Sequence, residues 1–224
     1  RAMILNIGGD FNSRSTTQTN EIQANGLTRI ETNLDRKALL HVKGKDGLLS
    51  VRANNINLEG ADVLNDGSGL TLLNSKNNLN LTSLSVGFDE KLGNSNSYRN
   101  ESVHEAVVSQ VKGKGNVLLT GKNILSEGAQ LESEAKLMAI AENDLVLNGA
   151  KESRDFEEFH KTKSGSVAKV TKTSLDQQQS VTQVGTQVSG KEVVLSAGHD
   201  VKAKGIQAIA DDNLHVQAGH DVDI

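Results

Sequence analysis

Ala-Gly-His-Asp-Val occurs at 197–201 and again at 218–222, an interval of 21 residues. Three longer stretches, 46–83, 115–150 and 190–224, repeat at an interval of 21 to 23 residues. Each opens on an alternating apolar pair: Leu49/Val51, Val117/Leu119 and Val193/Leu195. A polar corner follows, marked by Asn55-Ile56, Asn123-Ile124 and Asp200-Val201, and then a glycine corner at Gly60-Ala61, Gly128-Ala129 and Gly205-Ile206. Val63, Leu131 and Ala208 come next, then a further pair, Leu70/Leu72, Leu137/Ala139 and Leu214/Val216. The polar corner then returns as Asn78-Leu79, Asp144-Leu145 and Asp221-Val222, after 23, 21 and 21 residues.

Period-2 apolar spacing over three to five residues describes short strands with one buried face. Asn, Asp and Gly punctuate them, and these residues suit tight corners. Three such strands in each 21–23 residues predict an all-β chain wound as a parallel β-helix. Each strand would pair with its equivalent one coil on, about 4.8 Å away. The His-Asp pairs are then one corner seen on successive coils. The alternative, a sandwich of antiparallel strands, predicts hairpin-spaced turns but no recurring register.

Composition supports the coil. The chain has 224 residues with no Pro, Cys or Trp, one Tyr, four Phe and 21 Gly. Absence of Pro suits strands hydrogen-bonded on both sides, and an interior of Leu, Ile, Val and Ala suits a narrow bore. No cysteine means no disulfide framework or thiolate site. The net charge of −4 comes with no basic stripe, so no nucleic-acid partner is expected. No apolar run approaches the roughly 18 residues of a membrane-spanning helix. The chain reads as one β-helix segment, 1–224, of a longer filament, whose targeting signal would lie outside it.

Three excursions interrupt the rhythm, at about 8–26, 84–114 and 151–190. All five aromatic residues, Phe11, Phe88, Tyr98, Phe156 and Phe159, fall within them. Each excursion pairs a charged stretch with a Thr/Ser/Gln/Val-rich return, as expected of an exposed hairpin. In the last one the arms would pair around a turn at Gly165.

With "GNVLLTGKNILSEGAQL", "KEVVLSAGHDVKAKG", "DNLHVQAGHDVDI" and "FEEFHKTKSG" aligned, the sequence resembles the type-2 repeats of filamentous haemagglutinins and contact-dependent growth-inhibition effectors. The resemblance covers nearly the whole chain. It implies a right-handed β-helix in a two-partner-secreted exoprotein, passed through an outer-membrane transporter partner and displayed on the bacterial surface. The implied function is cell contact, either adhesion or delivery of a C-terminal toxin into neighbouring bacteria.

His199 and His220 are the candidate metal ligands, with Asp200 and Asp221 beside them. The plain alternative is a stacked corner, because the Asp positions align with Asn55 and Asn123. No Ser-His-Asp set stands out, and no catalytic residue or cofactor is assigned. A β-helical polysaccharide lyase or hydrolase would build a groove of clustered carboxylates, cations and aromatic platforms; here the acidic residues scatter over corners. Contact candidates are Phe88, Tyr98, Phe156 and Phe159, with Lys161, Lys163, Lys169 and Lys172 taken as one side of the last hairpin. Their expected partner is a target-cell surface: outer-membrane lipid, lipopolysaccharide or protein. A passive rigid spacer, and end-to-end association through open edges, are further expectations.

Overall fold

The computed structural model describes all residues, Arg1–Ile224, and every regular element is a strand. The chain winds through seven coils of a parallel β-helix with three faces. Face A holds Ala2–Asn6, Leu48–Ala53, Thr71–Ser75, Val117–Gly121 and Lys136–Ala141. Face B holds Phe11–Arg14, Ile56–Glu59, Asn78–Thr82, Asn123–Glu127, Leu145–Asn148, Val201–Ala203 and Val222–Asp223. Face C holds Leu39–Val42, Asp62–Asn65, Gln110–Gly113 and Gln130–Ser133. In the last coils the strands Gln187–Ala197 and Gln207–Ala218 run continuously from face C into face A, bulging near Gly190.

The period-2 pattern becomes ladders of inward side chains. On face A, Leu5, Val51, Leu73, Leu119, Ala139, Leu195 and Val216 stand one above another. On face B the column is Phe11, Ile56, Leu79, Ile124, Leu145, Val201 and Val222. On face C it is Leu40, Val63, Val111, Leu131, Val188 and Ala208. These columns, with inward neighbours such as Leu49, Leu58, Leu81 and Leu137, make a core whose 28 buried side chains are all aliphatic.

Two sequence expectations change. Phe11 belongs to a coil: it starts the face B column and packs partly against the core. The excursion expected at 8–26 is correspondingly a hairpin of Thr16–Ala24 and Leu27–Arg36. The other two are Leu84–Asn94 with Ser97–Val107, and Ala150–Ser164 with Val170–Val184 turning at Gly165. Val111 and Val188, near the ends of the expected excursions, are already buried in the face C column.

The corner before face B is tied from coil to coil. Asn55 N–H and Nδ2 donate to Asp10 Oδ1 at 3.2 and 2.9 Å, and Asn78 N–H donates to Asn55 Oδ1 at 3.1 Å. Asn123 Nδ2 donates to Asn78 Oδ1 at 3.1 Å, and Asp144 N–H to Asn123 Oδ1 at 3.4 Å. Asp200 N–H and Asp221 N–H continue the series onto Asp144 Oδ1 and Asp200 Oδ1, each at 3.2 Å. A side-chain oxygen thus replaces a strand partner for a backbone donor that the corner would leave unpaired.

Leu119 is fully buried in the fourth coil with coils on both sides. Leu119→Ala is expected to cost about 2–5 kcal/mol, read as a lower denaturant midpoint. An equivalent change at exposed Leu175 should leave the midpoint within about 0.5 kcal/mol.

Candidate functional site

All three hairpins leave the helix at the corner between faces B and C, from coils 1, 3 and 5. The stride follows from geometry. A coil rises by one strand spacing, about 4.8 Å, whereas a hairpin is two strands wide. Hairpins on every second coil therefore fill the space without gap or clash. Coils 2, 4 and 6 close the same corner directly, at Gly60, Gly128 and Gly205, with φ of +58°, +72° and +62°. At Gly128 an added Cβ would also meet Val184 O at 2.7 Å, so the hairpin base presses on the turn.

The three hairpins join in one six-stranded antiparallel sheet. Leu27–Arg36 pairs with Leu84–Asn94, and Ser97–Val107 pairs with Ala150–Ser164. The longest arms have 15 residues, a reach of about 50 Å.

Buried hydroxyls anchor the hairpin bases. Ser15 Oγ donates to Gly60 O at 2.5 Å and accepts from Ala38 N–H at 2.8 Å. Ser109 Oγ contacts Thr82 O at 2.9 Å and accepts from Ala61 N–H at 3.1 Å. Thr186 Oγ1 lies 2.7 Å from both Asn148 O and Ser126 Oγ. The sequence offered a signal for these residues, since Ser or Thr recurs where each hairpin begins or returns.

The sheet brings the aromatic candidates together but divides them between its faces. On one face Arg29 lies over the Phe88 ring at 4.0 Å and Arg99 over Phe156 at 5.2 Å. Arg29 also reaches Glu90 at 2.9 Å and Glu31 at 3.2 Å, and these carboxylates raise its pKa. Here His160 lies 3.1 Å from Glu158 and 2.8 Å from Ser97 Oγ. On the other face Tyr98 and Phe159 stack with centroids 5.2 Å apart. Gln177, Tyr98 and Asn100 donate to Glu157, which holds its carboxyl below the usual range.

The lysines do not form one side. Lys161 and Lys163 share the Tyr98 face, whereas Lys172 opposes Thr162 on the other and Lys169 lies in the turn. Successive strand residues alternate faces, which separates Lys172 from the other two. All four are exposed.

The second cluster is the His-Asp corner. The imidazoles of His199 and His220 stack with centroids 5.1 Å apart and planes within 4°. His199 Nδ1 lies 3.2 Å from Asp144 Oδ1 and 3.3 Å from Asp200 Oδ1. His220 Nδ1 lies 3.2 Å from Asp200 Oδ1 and 3.1 Å from Asp221 Oδ2. Ligand atoms of His199, Asp200 and His220 fall within 4.8 Å of one another, which brings the expected metal ligands together. The same atoms complete the corner ladder, so hydrogen bonding alone accounts for the arrangement.

A model of the haemagglutinin repeat matches residues 91–174 and 164–224. The chain belongs to the haemagglutinin repeat family. Over 100 residues, 44% of the chain, it is 39% identical to the deoxyribonuclease CdiA of Dickeya dadantii (strain 3937). Over 125 residues, 55% of the chain, it is 27% identical to the 16S rRNA endonuclease CdiA of Enterobacter cloacae subsp. cloacae. The matched stretches are 3% and 4% of those relatives' lengths. No solved structure matches it. Haemagglutinin repeats belong to secreted proteins exposed at the cell surface, and this repeat segment is of that kind.

Asp200 is held down to about 2, first by Lys202 Nζ at 3.0 Å and then, against its near-burial, by Asp221 N–H and the two imidazoles. An unfolded aspartate titrates near 3.9. Because the folded value is depressed, this contribution to stability is complete above about pH 4 to 5 and disappears as pH falls towards about 2. Protection of the His220 and Asp221 amides, measured relative to the intrinsic exchange rate at each pH, should fall across that window. Asp200→Asn keeps the oxygen acceptor but should flatten the response.

Proposed function

We propose that this repeat segment is a non-enzymatic shaft element of a secreted surface filament, and that its hairpin sheet makes contact with a neighbouring cell. The observation that carries this reading is the sheet itself. Three hairpins with little share in the 28-residue core are held in register as one projecting surface. A chain selected only for length would need the coils alone. Phe88, Tyr98, Phe156 and Phe159 lie on this projection with Arg29, Arg36, Arg99 and Arg154, while the coil interior is aliphatic.

Adhesion and delivery of a C-terminal toxin both need such a surface. The names of the two CdiA relatives, a deoxyribonuclease and an rRNA endonuclease, fit the delivery form. Passage through an outer-membrane transporter belongs to the same reading. Expected partners on the target are outer-membrane lipid, lipopolysaccharide or protein. The His-Asp corner, read as a stacked ladder, takes no catalytic part.

The test is binding of the labelled fragment to Gram-negative cells. The comparison variant lacks Leu84–Val107 and Ala150–Val184, with each corner closed by the Gly-Ala turn of coils 2 and 4. Saturable binding lost in that variant, with its β-sheet circular dichroism intact, is expected. Equal binding by both proteins, or none above an inert control, would leave a passive spacer.

A further inference from the structure

The Tyr98 face of the hairpin sheet has a regular chemistry. Gln23, Thr28, Lys91, Asn100, Glu157 and Gln177 oppose one another in succession, one from each of the six strands. Directly opposed residues point to the same face, so they form a row of about 24 Å along the helix axis. Two clefts open on this row. One, of about 720 Å³, lies between the tips of the first two hairpins and includes Gln23, Asn25, Lys91 and Tyr98. The other, of about 450 Å³, lies between the second and third hairpins and includes Ser102, Asp155, Gln177 and Gln179. Asn100 lines both, so the clefts adjoin.

Within the second cleft, Asp155 Oδ1 is buried and has no hydrogen-bond partner. A carboxylate oxygen removed from water needs a donor, and its neighbours Ser102 and Gln179 do not supply one.

We propose that this face binds a neutral, hydroxyl-rich glycan chain, with Asn100 at the centre of the site. This rests on the reading of the hairpins as the contact-making part. Sugar hydroxyls both donate and accept, which matches a row of amides, hydroxyls and carboxylates; one of them donates to Asp155. Tyr98, backed by Phe159, offers an aromatic ring for the apolar side of a pyranose. Among the charged residues lining the two clefts, Lys91 is outweighed by Asp155 and Glu157, which disfavours a polyanionic chain there. The second cleft offers no apolar floor to a lipid tail, because its one hydrophobic residue, Phe156, turns its ring to the opposite face. Strand pairing fixes these groups before any ligand arrives, which lowers the ordering cost of a shallow site.

The test uses the whole ¹⁵N-labelled fragment and four probes: maltohexaose, cellohexaose, chitohexaose and lipid-free polysaccharide from a strain that the fragment binds. Saturable shifts of the Asn100, Gln177 and Gln179 side-chain amides are expected with at least one probe below about 1 mM. Asn100→Ala should weaken that binding by about ten-fold. Arg99→Ala, on the opposite face, should leave it unchanged, with both variants melting as the parent does. No amide shift with any probe overturns the inference, as does equal weakening by the two variants. Cell binding measured in parallel separates the two levels. If cells are bound through the hairpins while every glycan fails, the contact function stands and the glycan site falls.

Discussion

The backbone hydrogen bond between neighbouring strands sets everything else in this molecule. It fixes the coil rise at about 4.8 Å, and each other feature is a way of matching that number. Inward aliphatic residues match it by stacking in columns. Corner asparagines and aspartates match it by reaching one coil along to a backbone N–H. The hairpins match it in pairs, because two strands fill two rises. A projecting sheet and a closed helix, one antiparallel and the other parallel, therefore share a single lattice along the axis.

The corner column shows how one geometry carries different electrostatics. In the lower coils amides pass hydrogen bonds along, Asn123 to Asn78 and Asn55 to Asp10. In the upper coils the column turns to Asp144, Asp200 and Asp221, which have no amide hydrogens to relay. Stacked carboxylates repel, and the imidazoles of His199 and His220 insert between them, with Lys202 closing on Asp200. The repeated pentapeptide that first marks the sequence carries on the charged stretch of the ladder that begins at Asp144.

Much of the coil was legible because its signals are local. Pairs such as Leu49/Val51 and Val117/Leu119 reveal strand and buried face within three residues, and Gly60, Gly128 and Gly205 mark one corner. The arms around Gly165 were legible from their alternation. The first hairpin was misplaced because Phe11 was read with the excursion aromatics, although it aligns with Ile56 and Leu79 in the face B column. The fused sheet was hidden for a different reason. Arg29 meets Glu90 only because the intervening chain makes two coils, and no local pattern reports that. The two-faced arrangement of the lysines and the amide row through Asn100 depend on the same long-range register.

The shared lattice restricts how such a filament lengthens or shortens in evolution. Removing one coil would leave the hairpins above and below it one strand out of step, with a gap or a collision in the projecting sheet. Removing two coils together with their one hairpin would restore the register. Between equivalent corners that unit is 68 residues from Asn55 to Asn123 and 77 from Asn123 to Asp200. Insertions and deletions in this shaft are therefore quantised, and the heritable module is the coil pair rather than the 21-residue repeat.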